Sequence, residues 1–462
     1  PAGAREGAAA GAGGGEPVPE QAQAEELTAE QQEKVANDAE EEIAWRVNAP
    51  LLYDLFIDCT MDWPALAIDW LPDEDDQPCR LAIGLHTDGS APHEVIIAQL
   101  ECDSEETMEV LDPWHSWHML GIGDMEGFGC TVDAATGAAA PLRPLARLMH
   151  PTEVNRVAPC PNRAQLLATK AATGAVLLFD YLADRPAGTI SPDATLLPRE
   201  GKAVDGFALD WGVTPGSGRV LASGGNDGRL CLWEAERASG GGTPTAPFME
   251  VASAHVGALC SLAWARAVSS PLAESLATVG DDGFLRLWDR RANTAATLHA
   301  RVSADEVLAV AWNHHQGHLL AVAGKDKDVC VWDARTLKEP LHRLKGHDSD
   351  VVAVKWAPFR DGLLASCSGD QRLNLWDLTI EESAEDTLEN GTPELLFSHA
   401  GHGGGVSDFA WSGTDDYLMC SVSEDNGLHI WQPSSEVYMP EDKHAGEETD
   451  PPPKRPRTDG AA

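Results

Sequence analysis

The residues of this chain that could do chemistry are carboxylates, and their spacing suits capture of a cation rather than a reaction. Glu153, Asp205, Glu306 and Asp350 each stand six residues before Pro159, Trp211, Trp312 and Trp356. Ala258 and Gly405 hold the same place before Trp264 and Trp411, so four of these six positions are acidic. A second series, Asn226, Asp281, Lys325, Gly369 and Glu424, stands immediately before five further aspartates. Carboxylates brought together repel one another, and an entering Arg or Lys relieves the repulsion. A guanidinium has five donors and can bind two carboxylates at once. An isolated surface acid is ordinarily just a solvated loop residue; recurrence at one spacing argues for a set.

Motifs for catalysis are missing. There is no GxxxxGK[ST], GxSxG or HExxH pattern, so no catalytic residue is expected. The WHSWH cluster (Trp114–His118) lacks a third ligand nearby and reads as a packed or loop insertion, not a metal site. Neither a metal nor a cofactor is expected. The ten cysteines form no CxxC pair, and Cys231, Cys330, Cys367 and Cys420 fall inside apolar strand patterns, as buried free thiols do. The net charge of −41 argues against nucleic acid and for a basic partner. No apolar run approaches membrane-spanning length, and the start of the chain carries no secretory signal pattern.

What must position the carboxylates is a repeat. Asp227, Asp282, Asp326, Asp370 and Asp425 each precede Trp233, Trp288, Trp332, Trp376 and Trp431 by six residues, at intervals of 44 to 55 residues. A His stands nine residues before the earlier tryptophan in three units: His255, His347 and His402. Gly346–Asp377 is the most complete unit, with apolar runs VVAVKW, LLASCS and LNLWD of strand length. Two degenerate units come first, one ending at Val176–Tyr181 and one between Leu66 and Leu100. The total is seven, and the expected fold is all-β, a seven-bladed propeller with an N-terminal α-helix. In that architecture the acidic series converge on the central channel.

The remaining segments divide the chain. Residues 1–24 are Ala/Gly-rich and acidic, and disorder is expected. Residues 25–50 read as a helix, with Val35, Ala39 and Ile43 on one face and Pro50 as its end. The propeller is expected over 51–438, carrying a long acidic insertion at 378–394, and a second disordered tail over 439–462. Residues 103–150 fit no repeat, and an irregular second blade is expected after them. Within the tail, Lys454, Arg455 and Arg457 among prolines resemble a nuclear-localisation signal.

The segment PLLYDLFIDCTMDWPALAIDWLPD resembles the N-terminal signature of the histone-binding WD-repeat family, the retinoblastoma-binding and Msi-type chaperones. LLATKAATGAVLLFDY, DQRLNLWDL, GTPELLFSHAGH, VSDFAW and SVSEDN extend the likeness in collinear order from about Glu41 to Gln432. In WD-repeat proteins the His, Asp and Trp of a unit hydrogen-bond across the blade. The resemblance implies a nuclear scaffold that binds histones H3 and H4 within chromatin assembly, deacetylase or Polycomb complexes. It implies a side groove for the first helix of histone H4, with Leu51, Leu52 and Phe397 as floor and Glu385, Asp386 and Glu389 as acidic lip. It also implies that the histone H3 tail meets the face carrying Glu153, Asp205, Asp281, Glu306, Asp350 and Glu424, with Asn155, Arg156 and Phe207 on matching positions. A propeller scaffold of another nuclear complex, such as a ubiquitin-ligase adaptor or a ribosome-assembly factor, is the alternative.

Overall fold

Apolar runs of five to eight residues separated by Gly, Asp and Asn turns can bury themselves only by pairing into small sheets and stacking those sheets face to face. The computed structural model describes residues 45, 47–72, 79–100, 123–124, 142–161, 163–182, 189–199, 202–214, 218–235, 245–266, 272–291, 295–380 and 392–439. Its strands form seven sheets, each a blade of at least four strands. The innermost strands, one per blade, are Ala65–Trp70, Val154–Pro159, Leu209–Thr214, Leu259–Trp264, Val307–Trp312, Val351–Trp356 and Val406–Trp411. The core lies between blades, as seven clusters that each join residues of neighbouring sheets.

The second blade is regular, with four strands from Val154 to Leu196. The irregularity sits one blade earlier. Leu142–Met149, inside the stretch that fits no repeat, is the outer strand of the first blade and pairs antiparallel with Glu94–Leu100. The WHSWH cluster itself lies outside the described residues.

The ring closes through a strand the repeat pattern does not announce. Tyr53–Thr60 pairs with Gly427–Pro433 and becomes the outer strand of the seventh blade. The chain's first described strand thus completes its last sheet, and no blade is left with an open inner edge. Inner-strand tryptophans tie adjacent blades: the indole N–H of Trp70, Trp211, Trp356 and Trp411 donates to the carbonyl of Ala410, Ala158, Ala311 and Lys355. Helical backbone runs through Pro50 to Leu52, two residues beyond the end expected from the proline. Proline's fixed φ is itself helical, so near a helix terminus it removes one hydrogen bond without breaking the turn.

Inside the sixth blade, His347 Nδ1 lies 2.9 Å from Asp370 Oδ2 and His347 Nε2 lies 2.8 Å from Ser366 Oγ. Trp376 Nε1 donates to the same Ser366 Oγ at 2.8 Å. His and Trp therefore meet through a serine, not directly. The arrangement recurs with Thr278 between His255 and Trp288, and with Ser421 between His402 and Trp431. His150 with Thr169 is a fourth case, in the second blade. In the fifth blade Val322 takes the hydroxyl's place, two residues beyond the partner of the blade tryptophan, and the indole nitrogen of Trp332 is buried without a hydrogen-bond partner.

Candidate functional site

The channel mouth is built by a backbone contact made seven times. The carbonyl of the residue six before each inner-strand Trp (or Pro159) accepts an amide from the same blade's second turn. The acceptors are Pro64, Glu153, Asp205, Ala258, Glu306, Asp350 and Gly405; the donors are His86, Ala172, Asn226, Asp281, Lys325, Gly369 and Glu424. The two series read in the sequence are thus paired, rung by rung, around one rim.

The carboxylates on this rim are unequally committed. Asp205 Oδ1 accepts from Asn155 Nδ2 at 2.6 Å and from the Gly206 amide at 2.7 Å. Asp281 accepts from the Ala258 amide at 2.7 Å and from the Cys260 thiol at 3.2 Å. Burial, then the bond to Asp281, pushes the Cys260 thiol above its ordinary range, so it stays a neutral donor. Glu306 is paired with Lys325 at 2.6 Å, so the ring is already neutralised at that point. Glu153 lies 3.8 Å from His86. Among the described residues no hydrogen bond or ion pair engages the carboxylates of Asp350 and Glu424.

A second ring stands two residues further along each inner strand: Leu66, Asn155, Phe207, Cys260, Leu308, Val352 and Ser407. In six blades this residue is skipped in the strand pairing, between Ala65/Ala67, Val154/Arg156, Leu259/Ser261, Val307/Ala309, Val351/Ala353 and Val406/Asp408. Such a bulge turns one side chain out of the ladder. All seven residues line the central cavity of about 920 Å³. Phe207 is 49 % exposed and Val352 is 37 % exposed, whereas Asn155 is buried. The sequence pointed to Asn155 and Phe207 only through resemblance; a constant offset of two from the rim series would have found all seven.

Deeper in the channel, Asp408 ties three blades together. Its carboxylate lies 3.2 Å from Arg156 Nη1 and 2.9 Å from Lys355 Nζ, and accepts from the Ile68 amide at 3.3 Å. Burial alone would raise its pKa, but the two cations outweigh burial and hold it below the usual range. Arg156 is therefore a wall residue committed to an internal ion pair. Nearby Asp69, buried and without a cation at bonding distance, is pushed upward by burial.

The second surface lies on the side of the seventh blade. Helical residues 47–52 present Val47 and Leu51, four apart and each 72 % exposed, while Leu52 is half-buried. They continue the series Val35, Ala39, Ile43, so Val47 was also legible in the sequence. Tyr53 fixes the turn below them: its ring packs edge-on against Trp45, Phe397 and His399 at 6.0, 5.4 and 5.6 Å. Phe397 is 8 % exposed, so it supports the surface from beneath and does not form it. The Leu52 carbonyl accepts from the Ser434 amide at 2.8 Å, anchoring the turn to the end of the last blade. Glu385, Asp386 and Glu389, and the basic residues Lys454, Arg455 and Arg457, lie outside the described residues.

Comparison with known proteins matches two family models. One, for the histone-binding protein RBBP4 or its counterpart in the CAF1 complex, matches residues 40–102, which hold the exposed helical turn, the closing strand and three strands of the first blade. The WD domain, G-beta repeat model matches residues 294–333, 338–377 and 393–432.

Proposed function

We propose that this chain, a member of the histone-binding WD-repeat family, is a non-catalytic scaffold that holds two parts of the H3–H4 histone pair on two separate surfaces. The observation that carries the reading is a coincidence of place. The histone-binding family match over residues 40–102 falls on the segment that leaves Val47 and Leu51 exposed beside the seventh blade. An exposed i, i+4 apolar pair suits a partner helix with its own apolar stripe. The acidic insertion expected at 378–394 favours a basic partner, and the first helix of histone H4 supplies both features. The rim, with Asp350 and Glu424 uncommitted above a ring containing Phe207 and Val352, suits an extended basic segment such as the histone H3 tail.

Such a scaffold works in the nucleus, within chromatin assembly, deacetylase or Polycomb complexes, and takes no part in sequence-specific nucleic-acid binding. Calorimetric titration with the two histone peptides, singly and together, tests the reading. Both peptides bind, and each leaves the other's affinity unchanged. Asp350→Ala with Glu424→Ala weakens only the H3 tail peptide. Failure of either peptide to bind overturns the reading in favour of a propeller scaffold with other clients.

A further inference from the structure

The seam beneath the exposed helical turn holds a chain of polar groups that neither surface uses. The Tyr53 hydroxyl lies 3.2 Å from Trp45 Nε1 and 2.7 Å from His399 Nδ1. His399 Nε2 lies 3.0 Å from His429 Nδ1, and His429 Nε2 lies 3.4 Å from Asp58 Oδ1. The proton positions follow from the two ends. An indole nitrogen only donates and a carboxylate only accepts. Trp45 therefore donates to the Tyr53 oxygen, Tyr53 to His399 Nδ1, His399 Nε2 to His429 Nδ1, and His429 Nε2 points its proton at Asp58. One tautomer of each imidazole satisfies the whole chain.

A third imidazole completes the cluster. His402 stacks on His429 with centroids 3.9 Å apart and planes inclined by 9°. Its nitrogens are held by Ser421 Oγ at 2.7 Å and Ser423 Oγ at 2.8 Å. Ring nitrogens of all three histidines lie within 4.8 Å of one another. Metal binding is not what this geometry serves: every ring nitrogen already has a partner, and two parallel stacked rings do not aim their lone pairs at one point.

What the geometry does not accommodate is an added proton. A proton on His429 Nδ1 would face the His399 Nε2–H, and a proton on His399 Nδ1 would face the Tyr53 hydroxyl proton. The titratable groups facing the seam are Tyr53 and Asp58 on the closing strand, His399 on Leu395–His399, His429 on Gly427–Pro433, and His402 and Asp425 in the adjoining turns. Of the two carboxylates, Asp425 is engaged by Ser423 and by the Gly403 amide. Burial, and then the neighbouring His429, hold His399 and His402 well below the ordinary histidine range.

We propose that His399 and His429 form a proton-sensitive latch. With both neutral, the chain seats Trp45 and the turn that follows it against the seventh blade; proton uptake unseats them. The sign follows from linkage. Released histidines regain their ordinary affinity for protons, so the released state gains as pH falls below about 6.5. The latch stands on its own geometry. Only its consequence, control of the partner helix, rests on the functional reading above.

The test uses the full chain labelled with 5-fluorotryptophan, the Trp45 resonance being assigned with Trp45→Phe and followed by fluorine NMR from about pH 7.5 to about pH 5. The wild-type resonance moves to a solvent-exposed position as pH falls, and the seated-to-released ratio changes by up to about a hundredfold per pH unit for two protons. His429→Gln accepts from His399 and donates toward Asp58 but takes no proton, so Trp45 stays seated to lower pH with at most about tenfold change per unit. Asp58→Asn, at a partly exposed position, is the second variant. Loss of the carboxylate disfavours imidazolium and also moves the transition to lower pH. A Trp45 resonance indifferent to pH, or wild type and both variants titrating together, overturns the latch. If the resonance titrates but affinity for a histone H4 helix peptide does not follow it, the latch holds and the placement of that partner fails.

Discussion

Replacing Ser366 with Ala removes one oxygen from the centre of the sixth blade and should cost far more than its size suggests. That oxygen accepts from Trp376 Nε1 and lies at bonding distance from His347 Nε2, both at 2.8 Å. Ser366 and Trp376 are fully buried, so water cannot take its place. The substitution leaves almost no cavity, and the loss is therefore that of two stranded polar groups, at about 1–3 kcal/mol each. A total of about 2–5 kcal/mol is expected, with Ser366→Thr nearly neutral because Thr278 performs the same role in the fourth blade. Urea unfolding with constant slope measures it. A loss below about 1 kcal/mol would refute the claim that the hydroxyl joins His and Trp, because each stranded group alone should cost that much.

Further expectations concern the same interior. Val322→Thr keeps the side-chain shape and gives Trp332 the acceptor it lacks; it should raise stability by up to about 1 kcal/mol, read from the urea midpoint. Asp408→Asn strands Arg156 and Lys355 in the channel wall and should cost about 3–5 kcal/mol. On acidification, Asp370 is the group to follow. Burial pushes it up, but its bond to the His347 imidazole and the backbone amides holds it below the usual carboxylate range. Its contribution is complete above about pH 4 and is lost as pH falls through the lower folded value. Asp370→Asn should therefore flatten the stability profile below about pH 4, measured as melting temperature against pH.

Much of the propeller was legible because its signals are local and periodic. The six-residue step from Asp to Trp crosses one turn, so it survives as a spacing. The rim series survived for the same reason. Three features were harder to see. The closing strand Tyr53–Thr60 finds its partner some 370 residues away, and nothing local marks that pairing. The hydroxyls of Thr169, Thr278, Ser366 and Ser421 are single small polar residues inside apolar strands, and only the indole or imidazole beside each explains them. His150 escaped because the nine-residue rule was counted from tryptophans, and Pro159 replaces the tryptophan there. Phe397 was read as a floor residue because position on a strand does not tell which layer covers it; Tyr53 covers it.

The central claim, that the side of the seventh blade holds a basic histone helix, is met most directly by the two rates of binding of an H4 first-helix peptide. Stopped-flow measurement at low and moderate salt should separate two kinds of residue. Glu385→Lys with Asp386→Lys should slow association and flatten its salt dependence, since exposed charges steer. Val47→Ser with Leu51→Ser, at exposed positions that leave the core intact, should speed dissociation and spare association. Both rates unchanged in both variants would place the histone helix somewhere else, or nowhere, on this protein.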